Sequence, residues 1–327
     1  MDLKVKYQEL LNLVESHIDC LFCQEQPSNL YEPIKYFMEQ KGKRIRPILT
    51  IVATAMIGGD IYKSIKPAIS LEFLHNFTLI HDDIMDNSPI RRGRPTVHVK
   101  YDLSTAILSG DLLLSIAFRK IIEDVGLDYC KEVLLTFTDA LIEVCEGQGY
   151  DINFEKKYDI TISDYLLMIE KKTAKLIENA LLIGAYLANA NKQQIEDFIT
   201  IGRSIGIGFQ LQDDLLDLTA ENMKFGKEIG KDIQEGKKTY LILKSKELFK
   251  STESINLLNK FYQNNGLHNE EVNLLINYMK EFGVIDATKE KINTYFEKAK
   301  EAVSKFEQNE YTQLMNYIID MIFQRDF

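Results

Sequence analysis

Along most of this chain the apolar residues recur at spacings of three and four, and that period constrains the fold more than any other feature. The opening segment sets Leu3, Tyr7, Leu10, Leu11, Val14, Ile18 and Leu21 on one stripe, the pattern of an amphipathic helix with a buried face. The same period predicts helices over 65–86, 105–125, 131–145, 163–190, 193–218, 240–248, 272–282 and 289–306. Val, Ile and Thr do not gather into short alternating runs bounded by turn residues, so no strand is predicted. With 6 Pro and 17 Gly in 327 residues, helices meet few breakers, and the expected fold class is all-α. The breakers that do occur are Lys41-Gly42-Lys43, Ile57-Gly58-Gly59-Asp60, Asn87-Ser88-Pro89, Arg92-Gly93-Arg94-Pro95 and the Gly- and Lys-rich stretch 224–238. None marks a boundary, and one helical domain over 1–327 is expected on size.

Charge narrows the function classes. Asp and Glu number 49 against 39 Lys and Arg, a net charge of −10, which argues against a general nucleic-acid binder. Any anion must therefore meet a local cluster of cations. The first residues alternate in charge rather than forming a leader, and the longest apolar stretch, 180–188, is about half the roughly 20 residues a membrane span needs. The expectation is a soluble protein with no membrane span. Its 4 cysteines are read as reduced thiols, which favours the cytoplasm.

One short motif occurs twice. In His81-Asp82-Asp83-Ile84-Met85-Asp86, Asp82 and Asp86 stand four apart and share a helical face, with Asp83 beside them. Asp213, Asp214 and Asp217 repeat the spacing in Gln212-Asp213-Asp214-Leu215-Leu216-Asp217. Like charges at this spacing oppose helix formation, and partial burial adds to the cost, so something must compensate. A solvated face explains one such motif; two copies inside apolar, helix-periodic segments favour hard cations held by oxygen ligands. Mg²⁺ takes one or two carboxylates and completes its shell with water and phosphate oxygens. A metal-bridged phosphate ligand is the sharper reading.

Such a ligand needs cations as well. Lys43, Arg44 and Arg46 precede Pro47, while Arg91, Arg92 and Arg94 follow the first acidic motif. Lys172 and Lys175 lie on a predicted helix, and Lys227, Lys231 and Lys237 follow the second motif. Arginine's planar fork suits phosphate, although most lysines in any protein are merely solvated. His75, seven residues before Asp82, shares nearly its face and could donate to an anion. Other motifs are set aside. Gly202-Arg203-Ser204-Ile205-Gly206 imitates a nucleophile elbow without the preceding strand, and Gly147-Gln148-Gly149 lacks the third glycine of a dinucleotide site. Cys20 and Cys23 have no partner pair for zinc, and Asn76-Phe77-Thr78 is a formal glycosylation match in a buried helix.

Taken in order, these residues resemble the trans-isoprenyl diphosphate synthases, or polyprenyl synthetases. The resemblance runs from Gly42-Lys43-Arg44-Ile45-Arg46-Pro47 through Leu74-His75, the first acidic motif and Arg91-Arg92-Gly93-Arg94-Pro95-Thr96. It continues with Gly110-Asp111, Gly147-Gln148, Asp151, Lys172-Thr173, Phe209-Gln210-Leu211-Gln212, the second motif, Gly226-Lys227, Asp232 and Lys237. It implies one helical bundle around a central cavity and a Mg²⁺-dependent head-to-tail (1′-4) condensation of isopentenyl diphosphate with an allylic prenyl diphosphate (dimethylallyl, geranyl or farnesyl). By resemblance, Asp82, Asp86 and Asp213 hold the metal, in three substrate-bridged ions, with Asp83, Asp214 and Asp217 in the same catalytic motifs. Arg91, Lys172, Thr173, Gln210, Lys227 and Lys237 would bind the allylic diphosphate, and Lys43, Arg46, His75 and Arg92 the isopentenyl diphosphate. A homodimer is implied as well.

In the family, product length depends on bulk below the first motif, here Phe77 and Thr78. One large ring beside one small side chain resembles synthases that stop at geranylgeranyl length, C20, with farnesyl or longer products next. A class I terpene cyclase shares the fold, but its second metal site usually mixes Asn, Ser or Thr with Glu. A non-catalytic partner subunit usually loses aspartates or basic residues that are all present here. A plain helical interaction protein would leave the paired acidic motifs unexplained.

Overall fold

The computed structural model describes residues 2–19, 26–124, 130–219, 229–268 and 270–324, and it is helical nearly throughout. In chain order the helices are α1 (Leu3–Asp19), α2 (Ser28–Met38), α3 (Ile45–Met56), α4 (Ile61–Met85), α5 (Val97–Lys100), α6 (Leu103–Asp124), α7 (Cys130–Glu155), α8 (Ile162–Ile169), α9 (Lys175–Leu187) and α10 (Lys192–Thr219). They are followed by α11 (Lys231–Gln234), α12 (Tyr240–Leu248), α13 (Thr252–Asn264), α14 (Glu270–Glu281), α15 (Val284–Ser304) and α16 (Glu310–Phe323). No helix among the described residues is long and apolar enough to cross a membrane.

Local chemistry sets the ends of these helices. Asp60 caps α4 by accepting the Tyr62 N–H at 3.0 Å, which satisfies a donor the helix cannot. Thr161 and Asp164 form a reciprocal capping box at the start of α8. The all-α expectation holds, but helices α2, α3, α13 and α16 lie outside the predicted spans, and three further differences concern local geometry. Residues 90–95 form a hairpin of two-residue strands, β1 (Ile90–Arg91) and β2 (Arg94–Pro95), too short to show a period of two. Its turn places Arg92 and Gly93 at φ 50° and 76°, the doubly left-handed geometry of a tight hairpin. The predicted helix over 163–190 is instead α8, a π-helical turn at Glu170–Ala174, and α9. Finally, α7 runs on through Gly147 and Gly149 rather than ending at Cys145.

The chain divides into two compact units. Unit 1 comprises Met1–Leu141, Asn179–Ile199 and Phe306–Met315. Within it α4 packs against α3 and α6, and α3 is buried from Pro47 to Met56, so Ile48, Leu49, Ile51, Leu71, Phe73 and Leu74 build a dry core. Unit 2 comprises Ile142–Glu178, Thr200–Lys305 and Asn316–Phe327. There α12 packs on α8 and α15, and α14 on α13 and α15, around Phe261, Leu275, Met279, Val284 and Phe296.

Candidate active site

In unit 1 the first acidic motif occupies the last turn of α4. Asp86 is the exposed C-cap, its N–H bonded to the Asp82 carbonyl at 2.8 Å, and Asp82 is half-buried. Asp83 is different. Its side chain is 1% exposed and held by Arg91 of β1, with Nε 2.9 Å from both carboxylate oxygens and Nη2 at 2.8 Å. Burial, the larger effect, raises the Asp83 pKa, and Arg91 opposes it.

Behind this pair lies a cluster of cations. Arg46 Nη1 donates to His75 Nε2 at 3.0 Å, which requires an unprotonated acceptor. Burial and then the charges of Arg46 and Arg92 push His75 well below its ordinary value, so the ring is neutral. Burial also pushes Arg46 down to about 10, and its Nε, buried, has no hydrogen-bond partner among the described residues. Arg92 donates from Nη1 to the Gln40 carbonyl at 3.0 Å, and Gly42 lies over its guanidinium, where a Cβ would stand 3.4 Å from Nη1. An orphaned guanidinium donor among like charges fits an anion. Lys43 is exposed, and its backbone carbonyl accepts from the Tyr7 hydroxyl.

Arg44, grouped in the sequence with possible anion contacts, serves the fold instead. It sits buried at φ 44°, bonded to Glu15 at 2.8 Å, Glu72 at 2.9 Å and the Met38 carbonyl at 2.9 Å. Arg94 stacks 4.3 Å above the Tyr36 ring. One turn below the motif, Phe77 is buried with its ring 4.6 Å from that of His81. The His81 ring fits only because Gly110 has no Cβ, which would lie 2.3 Å from Nε2. Thr78 is buried too and donates to the His75 carbonyl at 2.7 Å.

In unit 2 the π turn carries Lys172 and Thr173. Gly147 of α7 and Gly206 of α10 let the backbone of this turn approach, since a Cβ at either would lie 2.3 Å from the main chain of Lys172 or Ala174. Lys172 Nζ meets Asp151 at 2.5 Å. Thr173 Oγ1 donates to Gln210 Oε1 at 3.1 Å, and Gln210 Nε2 donates to Asp214 Oδ1 at 3.1 Å. The Tyr165 hydroxyl donates to Asp214 Oδ2. Lys237 Nζ lies 3.2 Å from Asp232 and 3.0 Å from Glu235. Tyr165, Lys172, Thr173, Gln210, Asp214, Asp232 and Lys237 line one polar pocket with Asp151. Lys175 and Lys231 pair with Glu178 and Glu235, as ordinary lysines do.

The carboxylates here are crowded. Asp214 is pushed well above the usual range by burial and by Asp232, against the bonds from Tyr165 and Gln210. Burial and Asp232 raise Asp217 to about 6, although it accepts the Asp232 N–H at 3.1 Å. A cation would relieve this crowding, and the donors are all oxygen, which fits Mg²⁺. Among the described residues no three His, Cys, Asp or Glu form a ready cage, so such an ion would draw its remaining ligands from water and a bound phosphate.

The structure therefore gathers Lys172, Thr173, Gln210, Asp214 and Lys237 in one pocket, and the cations Arg46 and Arg92 around the neutral ring of His75. Asp213 is half-buried on α10, one residue ahead of Asp214. Gly226, Lys227, Cys20 and Cys23 lie outside the described residues. Tyr165 was missed in the sequence, because an aromatic residue at helical spacing reads as core.

A family model described as polyprenyl synthetase matches residues 27–279. A geranylgeranyl diphosphate synthase of Methanosarcina mazei is 36% identical over 318 residues, covering 96% of this chain and 95% of that protein. A geranylfarnesyl diphosphate synthase of Natronomonas pharaonis is 34% identical over 321 residues, covering 93% and 92%. The crystal structure of a geranylgeranyl pyrophosphate synthetase from Pyrococcus horikoshii superposes with a TM-score of 0.92 at 34% identity, covering 99% of each chain.

Proposed function

This chain belongs to the polyprenyl synthetase family, and from that premise we propose that it is a prenyltransferase that condenses isopentenyl diphosphate head to tail with an allylic prenyl diphosphate, releasing pyrophosphate. In this reading 1–327 acts as one polyprenyl synthetase domain, as a homodimer in the cytoplasm. The observation that carries the assignment is the unit 2 pocket, where Lys172, Thr173, Gln210 and Lys237 converge beside the buried carboxylate of Asp214.

Arg91, Lys172, Thr173, Gln210, Lys227 and Lys237 bind the allylic diphosphate. Arg46, with its unpartnered Nε, binds the isopentenyl diphosphate together with Lys43, Arg92 and His75. Asp82, Asp86 and Asp213 are the residues that would hold Mg²⁺, which, when bound, supplies charge neutralisation for the departing diphosphate. The cations of the chain stabilise the same developing charge. The allylic C1–O bond breaks, the isopentenyl double bond attacks C1, and a proton leaves C2 for the released pyrophosphate. No side-chain nucleophile takes part.

Phe77, buried one turn below the first motif, supports a product of C20. The test is to incubate the purified protein with Mg²⁺, isopentenyl diphosphate and each allylic primer, and to measure product length by mass spectrometry, with Phe77→Ala alongside. The expected result is geranylgeranyl diphosphate from the wild type and longer products from the variant. A C25 wild-type product contradicts the length assignment alone, and no product with any primer contradicts the reaction.

A further inference from the structure

Tyr165 lies outside every binding motif of the chain, yet it contacts the most enclosed carboxylate of the second acidic motif. It projects from the first turn of α8, 2% exposed, on a helix pinned at its start by the Thr161–Asp164 capping box. A buried tyrosine hydroxyl needs a partner, and this one donates to Asp214 Oδ2. Asp214, 6% exposed, has its other oxygen occupied by Gln210 Nε2 at 3.1 Å. Gln210 in turn receives the Thr173 hydroxyl on Oε1 at 3.1 Å. Four side chains from α8, the π turn and α10 thus form one hydrogen-bonded chain within unit 2 that converges on Asp214, and all four line the same pocket.

The chemistry of the chain sets how its amide lies. Both oxygens of Asp214 accept, Oδ2 from Tyr165 and Oδ1 from Gln210 Nε2, so the Gln210 amide turns its NH₂ end to Asp214 and its carbonyl end towards Thr173. Were Asp214 to swing away from Gln210, the amide could flip and present its oxygen to an incoming phosphate, which would repel it. The Tyr165 hydroxyl removes that freedom by fixing one oxygen of Asp214, and an amide so held keeps its second N–H as a donor.

We propose that Tyr165 is a positioning residue for the diphosphate subsite: acting through Asp214, it locks Gln210 in the orientation that offers an N–H to a phosphate oxygen. Asp214 is then an orienting carboxylate rather than a metal ligand. This inference rests on the proposed prenyl transfer for the identity of the anion, but its test does not require turnover.

The probe is inorganic pyrophosphate with Mg²⁺, titrated calorimetrically into wild type, Tyr165→Phe, Gln210→Ala and the double variant. Tyr165→Phe keeps the ring and removes one oxygen. Its affinity for pyrophosphate should fall about five- to tenfold, the loss of one charge-assisted hydrogen bond, with the circular-dichroism melting profile still cooperative. The double variant should bind no more weakly than Gln210→Ala alone, because the two residues act in series. Wild-type affinity in Tyr165→Phe, or losses that multiply in the double variant, would overturn the proposal.

Asp214→Asn puts the question a second way and stands in if Tyr165→Phe does not fold. The number of Mn²⁺ ions bound in the pyrophosphate complex, counted by electron paramagnetic resonance, should match the wild type. A lower count makes Asp214 a metal ligand and contradicts the proposal. Failure of wild type to bind pyrophosphate would instead undermine the parent reading, so the two failures are distinguishable.

Discussion

The two acidic motifs share a spacing and little else. The first ends a helix: Asp86 is exposed, Asp82 is half-buried, and Asp83 is neutralised by Arg91 from the neighbouring hairpin. The second lies within the last turns of α10, where Asp214 and Asp217 share burial with Asp232 and both titrate above the ordinary carboxylate range. In unit 1 the charge of the motif is compensated by an arginine already in place. In unit 2 the buried acid of the motif, Asp214, is held by two uncharged partners, Tyr165 and Gln210. The i, i+4 repeat sets which face of a helix carries the acids, while the neighbours decide whether an acid is a structural ion pair or a candidate ligand.

The largest effects should come from the acids read as metal ligands. Asp82→Ala and Asp213→Ala should each lower kcat/KM by about 10²- to 10³-fold, measured by steady-state kinetics at saturating Mg²⁺, with thermal unfolding little changed. Equal stability losses in both variants would break the distinction between ligand and structural acids. Asp83→Ala should behave oppositely. It strands Arg91 beside a buried gap and should cost about 3 kcal/mol in denaturant unfolding, an effect read before any change in activity is considered.

The smallest effect sharpens the comparison through pH. Asp217 is raised from 3.8 to about 6, so the folded chain resists its ionisation. The contribution of Asp217 to stability without metal is then fully present below pH 4 and is lost as pH rises through 6. Asp217→Asn removes that loss. In the presence of a chelator the variant should melt above wild type at pH 7 and together with it at pH 4, and the reverse order would show that the carboxylate is stabilised rather than strained.

Much of this was legible in the sequence because it depends on backbone period alone. Stripes at three and four located most of the helices but not α2, α3, α13 or α16, and paired acids at four put each motif on one face. Arg46, His75 and Arg92 could be named as candidates from residue type and adjacency. What escaped depends on tertiary neighbours. The π turn at Glu170–Ala174 adds a residue to a helical turn without disturbing the apolar pattern enough to be seen. Arg44 reads like a phosphate contact until Glu15 and Glu72 close on it. Tyr165 reads like core, since only the fold shows that its hydroxyl meets Asp214. Lys172 and Asp151 stand 21 residues apart, a separation from which no pairing can be inferred.

The central claim, metal-dependent prenyl transfer at these aspartates, is tested most directly by following pyrophosphate release and prenyl product together from isopentenyl diphosphate and farnesyl diphosphate. The account predicts one pyrophosphate per C20 product, abolished by chelation and restored by Mg²⁺. Release without product, or turnover unaffected by the chelator, would contradict it.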